Sequence, residues 1–191
     1  MLYNNLMDNL KPQIIAYTPH IERETSDKAL ILHCIENFSN VLTRNNPICH
    51  LTASCWIVNP ERTKSLMLYH NIEKIWMWPG GHADGESNLL QVALREASEE
   101  TSLDAHPVSK EIFSLEVFPV PPHVRRGKFV SAHLHLNCSF ILEASEQDSY
   151  QIKPDENSGI RWMAFDDIIT EIDNNRMSSH FRGLIERSRG F

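Results

Sequence analysis

No stretch of this 191-residue sequence approaches the roughly 18 consecutive apolar residues that a membrane-spanning helix requires. The opening MLYNNLMDNL lacks the basic end and apolar centre of a secretory leader, so a cytoplasmic protein without membrane association is expected. Glycine is too sparse, at seven residues, for a collagen-like or low-complexity chain, and the 41% apolar content is too high for a disordered one. Cysteine is also sparse. Cys34, Cys49, Cys55 and Cys138 form no CxxC pair and lie in apolar runs such as HLTASCWIV, which predicts reduced, buried thiols rather than a redox or zinc centre. Bases are outnumbered by acids, 18 to 25, and the net charge of −7 argues against a general binder of nucleic-acid backbones. A small phosphorylated ligand stays open, because divalent cations bridge acidic side chains to phosphates. So does a homodimer.

The pattern along the chain predicts mixed α/β structure. Residues 1–48 read as a helical extension packed on the rest, with a first helix broken at Pro12 and a longer one from about Glu22 to Thr43. Its expected buried face carries Ala29, Leu30, Leu32, His33, Ile35, Phe38 and Val41. Residues 49–191 read as the main domain. HLTASCWIV and SLMLYH, joined by the polar NPERTK, predict a hairpin, and Ile75–Trp78 a short strand. Pro79, Gly80 and Gly81 are expected to end that pairing. A helix should follow, capped by Asn88 with Gln91 completing a capping box. Strands are predicted near 112–119, 129–142 and 159–164, with short helices over 165–173 and 178–188.

The stretch GGHADGESNLLQVALREASEETSL, Gly80 to Leu103, carries the chemistry. Helical spacing puts Glu96, Glu99 and Glu100 on one narrow face, beside an apolar stripe of Leu89, Leu90, Ala93, Leu94 and Ala97. Like charges so placed repel unless something positive offsets them, and Mg2+, a hard cation that takes oxygen ligands, is the natural candidate. Arg95 lies one turn before Glu99 and can pair with it. An isolated ExxEE would ordinarily be a solvated acidic face.

This one is not isolated. The stretch resembles the signature of the Nudix hydrolase family, with Gly81, Arg95, Glu96, Ala97, Glu99, Glu100 and Leu103 in register. Two positions depart from it. Ser87 stands where the family has its first glutamate, with Glu86 one residue early, and Ser102 replaces a late glycine. The resemblance implies an α/β/α sandwich around a mixed sheet. It also implies Mg2+, or Mn2+ in its place, held by Glu96, Glu99, Glu100 and the Gly81 carbonyl, with Arg95 orienting the carboxylates. The implied reaction is hydrolysis of a diphosphate linkage in a substrate of the form nucleoside diphosphate linked to X. The alternative is a non-catalytic Nudix-fold sensor of a nucleotide or sugar-nucleotide; the intact glutamates favour the enzyme. A diphosphate isomerase on the same fold would want an activated cysteine, which Cys55 and Cys138 do not resemble.

Several residues lie outside the acidic face. Glu156, in the loop KPDENSG, is either a further ligand or base or a solvated acid. Glu86 is expected to turn inward and supply the acid missing at Ser87. His82 has a claim on the phosphates, while His133 and His135, alternating along one strand face, line a pocket or pack beneath a loop. A zinc site formed by these three histidines is the less favoured reading. Arg125, Arg126 and Lys128 form the basic cluster, as a solvated loop or a phosphate clamp. Trp76 and Trp78 read as core residues.

Overall fold

The computed structural model describes Met7 and residues 9–71, 74–125, 127–172 and 178–191. The predicted hairpin is β1 (Cys49–Val58) and β2 (Lys64–His70), antiparallel with Val58 opposite Ser65. Asn59 closes its turn. The Asn59 Oδ1 accepts the N–H groups of Thr63 and Lys64 at 2.9 Å each, and its Nδ2 donates to Thr63 Oγ1 at 3.0 Å and Glu146 Oε1 at 2.9 Å. The other strands are β3 (Trp76–Met77), β4 (Gly80–His82), β5 (His106–Pro107), β6 (Ser114–Val120), β7 (His123–Arg125), β8 (Lys128–Val130), β9 (His133–Glu143) and β10 (Asn157–Ala164). The helices are α1 (Leu10–Ala16), α2 (Glu22–Asn37), α3 (Leu89–Thr101), α4 (Phe165–Ile172) and α5 (Ser178–Ser188). Among the described residues, eight strands form one sheet in the order β10-β2-β1-β9-β5, with β3 beside β2, β4 beside β1 and β6 beside β9. The fold class read from the sequence is the one observed, α/β with a mixed sheet and an N-terminal helical segment.

Five local expectations are corrected. Pro12 does not break α1: it occupies the third helical position, where a backbone N–H would have no intrahelical partner to lose. The second helix stops at Asn37, six residues early, because Phe38 turns extended at φ −122° and its N–H bonds back to Cys34 O at 2.9 Å. Its buried face follows Glu24, Ile31, Cys34 and Ile35, leaving Ala29, Leu30 and His33 exposed. Strand pairing resumes directly after Pro79 as β4; Pro79 has no N–H to give, but its carbonyl accepts from Cys55 N at 2.9 Å. The basic loop is itself a two-stranded ribbon, β7 against β8 with Arg125 opposite Lys128, and Gly127 supplies the positive φ of +75° at its turn.

The chain divides into two compact units, and β1, α3 and β9 each run from one into the other. One unit comprises the chain up to Ala53, Gly81–Val92 and Glu111–Ser139. In it α2 packs on β6: Val117 N–H donates to Asp27 Oδ2 at 3.1 Å and Ser114 Oγ to Glu24 Oε1 at 3.3 Å. β6 pairs antiparallel with β9, Glu116 opposite Asn137, and the buried Asn137 accepts from Thr52 Oγ1 at 3.0 Å while donating to Glu116 Oε2 at 2.7 Å. The loops after α2 and β4 are fixed by Leu51 N–H to Val41 O, Ala83 N–H to Leu51 O and Gly85 N–H to Leu42 O.

The other unit holds Ser54–Gly80, Ala93–Lys110 and the chain from Phe140. Here β2 lies between the distal part of β1 and β10, with Leu68 opposite Ile160 and Leu66 opposite Trp162. Its core is built around Trp56, fully buried, whose indole N–H donates to Ser188 Oγ at 2.8 Å and whose ring lies 6.3 Å from Phe165 and 6.0 Å from Phe181. Trp78 packs edge-on to Phe181 at 5.1 Å, the core role expected of it. Trp76 is half-buried, with the Arg161 guanidinium 4.4 Å over its ring. No helix among the described residues is long and apolar enough to cross a membrane.

Candidate active site

The signature helix begins as the sequence suggests and is capped differently. Asn88 Oδ1 accepts the Gln91 N–H at 3.3 Å, while the Asn88 N–H is taken by Glu86 Oε1 at 2.7 Å, a role expected of the Gln91 side chain. Glu86 is exposed. It therefore does not turn inward to replace the acid missing at Ser87: the unpaired N–H groups and positive end of α3 hold its carboxylate at the helix start. At the other end Ser102 adopts φ +60°, its N–H bonded to Ser98 O at 2.8 Å, so serine takes the left-handed position that glycine fills most easily.

Within the second unit, α3 presents Arg95, Glu96, Glu99 and Glu100, and the loop before β10 adds Glu156. Arg95 bridges its neighbours, with Nη2 3.0 Å from Glu96 Oε1 and Nε 3.8 Å from Glu99 Oε1, the pairing the spacing anticipates. Glu100 is only 7% exposed. Burial first, then the negative charges of Glu156 and Glu96, push its carboxyl from the ordinary 4.5 to about 8, against a hydrogen bond from the Gly80 backbone that favours the charged form. Glu96 is raised too, chiefly by burial, with Arg95 opposing. Glu156 shares a hydrogen bond with Glu100 and receives one from Lys153 Nζ at 3.2 Å. Glu156 is thus in contact with the acidic cluster. Glu100 is buried, Glu96 and Glu156 are half-buried and Glu99 is exposed; such carboxylates offer the oxygen donors that a hard divalent cation takes, and a positive charge beside Glu100 would offset the cost of its ionisation there.

Burial likewise holds the Cys55 thiol, bonded to Pro79 O at 3.5 Å, well above the ordinary thiol range, so it is not an activated nucleophile. All four cysteines are buried and free, as expected.

The first unit gathers imidazoles. His82 on β4, His133 and His135 on β9, and His50 on β1 have ring centroids 4.8 to 5.2 Å apart for five of their pairings. Burial lowers His82 to about 3 and His135 to about 2, with neighbouring cationic side chains and imidazoles adding to it, so both are neutral near pH 7. Arg44 donates from Nε and Nη2, one edge of its guanidinium, to the two carboxylate oxygens of Asp84, and Asp84 and Gly85 make the turn after β4 with φ of +47° and +100°. Gly81 lies on β4 beside His82. Arg125 is exposed at the end of β7, and Arg126 lies outside the described residues.

Sequence reasoning missed His50 and Lys153. The signal for His50 was present: His50, Thr52 and Ser54 alternate as buried polar residues through an otherwise apolar strand. Lys153 carried none beyond its place three residues before Glu156.

A family model described as the NUDIX domain matches residues 49–182. The chain belongs to the Nudix family. Among curated relatives it is 35% identical over 99 residues to a protein of Xenopus laevis named m7GpppN-mRNA hydrolase NUDT17, a match covering 50% of this chain and 32% of that protein. It is 24% identical over 131 residues to a probable DHNTP pyrophosphohydrolase of Lactococcus lactis, covering 68% and 76% respectively. The chain thus spans about a third of the vertebrate Nudix relative's length. Among solved structures, the E. coli dihydroneopterin triphosphate pyrophosphohydrolase superposes with a TM-score of 0.55 at 15% identity, over 80% of this chain and all of that one, which shows a shared fold.

Proposed function

We propose that this chain is a Mg2+-dependent pyrophosphohydrolase, active also with Mn2+, that cleaves the diphosphate linkage of a nucleoside diphosphate-X type substrate. The observation that carries the reading is Glu100, a buried carboxyl facing Glu96 and Glu156, an arrangement that is costly in a binding module and useful in a cation-dependent hydrolase. Membership of a family whose relatives are named hydrolases supports it. In this reading residues 49–191 are the catalytic domain and 1–48 its helical extension.

Glu96, Glu99 and Glu100, with the Gly81 carbonyl assigned on the signature match alone, would hold the cation. When bound, it would neutralise the diphosphate and lower the pKa of a water. Arg95 keeps Glu96 and Glu99 oriented through its two nitrogens. Glu156, held by Lys153 and open to solvent, takes the proton of the attacking water and passes it outward. His82, Arg125 and Arg126 are assigned to the substrate, the arginines pairing with its phosphates, while Glu86 stays at the start of α3. The test is substitution: Glu99→Gln and Glu100→Gln should each lower kcat by on the order of 10² or more while leaving the fold intact. A Glu100→Gln variant with wild-type kcat would refute the assignment.

A further inference from the structure

We propose that the chain carries a second divalent-cation site, built from His50, His133 and His135, that takes a borderline transition metal ion such as Zn2+ and not Mg2+. One ligand nitrogen from each of these three residues lies within 4.8 Å of the other two. The strands supply the geometry: β1 and β9 are neighbours in the sheet, and alternation puts His133 and His135 on one face, the face toward His50. His50 is 5% exposed, and its Nε2 has no hydrogen-bond partner. A buried ring nitrogen of that kind asks for a ligand, since native structures satisfy nearly all such atoms.

The opposite edges of two rings are already arranged as metal-bound histidines require. His133 Nδ1 lies 2.9 Å from Ser131 O, and His50 Nδ1 3.5 Å from Asn46 O. A carbonyl only accepts, so each proton belongs on Nδ1 and each Nε2 lone pair is left to coordinate. In a tetrahedral zinc site, Zn–N bonds of about 2.0–2.1 Å put ligand nitrogens about 3.3 Å apart, so side-chain rotations of about an ångström would close this one. His82, its ring 5.0 Å from His50 and 4.8 Å from His135, is the next donor in reach for the fourth position. An all-imidazole set selects Zn2+, Cu2+ or Ni2+ over Mg2+, whereas the glutamate cluster on α3 has the opposite preference. The two sites therefore differ in ligand chemistry and respond to different ions.

The experiment uses the full chain, stripped with chelator and held in millimolar Mg2+ to occupy oxygen sites, with Zn2+ titrated against a chromophoric chelator. One equivalent of Zn2+ should bind. His133→Ala, a half-buried position that tolerates truncation, and His135→Ala should each weaken it by on the order of 10²-fold or more with far-UV circular dichroism unchanged, and Glu100→Gln should leave it within about threefold. Co2+ in place of Zn2+ should give the intense visible absorption of a four-coordinate site, lost in the same histidine variants. Absence of Zn2+ binding in the presence of Mg2+ would overturn the proposal. So would Zn2+ binding that survives both histidine substitutions or disappears with Glu100→Gln.

Discussion

At the scale of single residues, Glu100 and Ser102 lie two positions apart and each departs from what is easiest for its type. The Glu100 carboxyl is raised to about 8 in the cation-free protein, by burial first and by Glu156 and Glu96 next. A carboxyl whose folded-state pKa lies above its unfolded value contributes stability below that unfolded value and loses it as pH rises. Cation-free wild type should therefore lose stability between about pH 4.5 and 8 relative to Glu100→Gln, and the gap should level off above pH 8. Melting curves of the two proteins in chelator across that range would check it, and parallel pH profiles would contradict it. Ser102 is forced into the left-handed region, which costs an L-residue roughly 1–2 kcal/mol, while glycine gives back part of that through its freer unfolded chain. Ser102→Gly should stabilise the protein by about 0.5–1 kcal/mol, a rise in Tm of roughly 1–4 °C. This strain was legible in the sequence only through the family resemblance, whose signature has a glycine where Ser102 stands.

At the scale of elements, local signals were read well and nonlocal ones poorly. The hairpin of β1 and β2, the start of α3 at Asn88, and α4 and α5 follow from turn residues and periodicity within a few positions. The C-terminal end of α2, the resumption of pairing in β4 and the ribbon of β7 and β8 did not, since each depends on a partner distant in sequence or on backbone groups alone. The buried face of α2 is one such case. Glu24, 3% exposed, is placed on the inner face of a helix where a carboxylate would be read as solvated, yet it accepts from Tyr17 Oη at 2.8 Å, His20 N at 2.7 Å and Ser114 Oγ at 3.3 Å. Removing an acceptor shared by three donors should be expensive. Glu24→Ala is expected to cost on the order of 1–3 kcal/mol and to speed hydrogen exchange along Glu22–Asn37, whereas Glu22→Ala, on the exposed face, should cost under about 0.5 kcal/mol. Equal melting temperatures for the two variants would show that Glu24 does not tie α2 to β6.

At the scale of the whole molecule, how much of each cluster could be foreseen depends on where its members come from. Glu96, Glu99 and Glu100 share one turn of one helix, so spacing alone placed them together, and Arg95 with them. Glu156 joins them from a loop more than fifty residues on, and His50 meets His133 and His135 across neighbouring strands. Those meetings are set by strand order, which no local pattern records. The two clusters sort by chemistry, oxygen donors on α3 and nitrogen donors on β1 and β9, and the proposed hydrolysis belongs to the first. Its most direct test is turnover of a panel of diphosphate-linked nucleotides by the full chain, with products identified by mass, in Mg2+, in excess chelator, and after Mg2+ is restored. Two phosphorylated products are expected from at least one member of the panel, none in chelator, and full recovery on adding Mg2+ alone. Undiminished hydrolysis in excess chelator would contradict the proposed Mg2+ dependence.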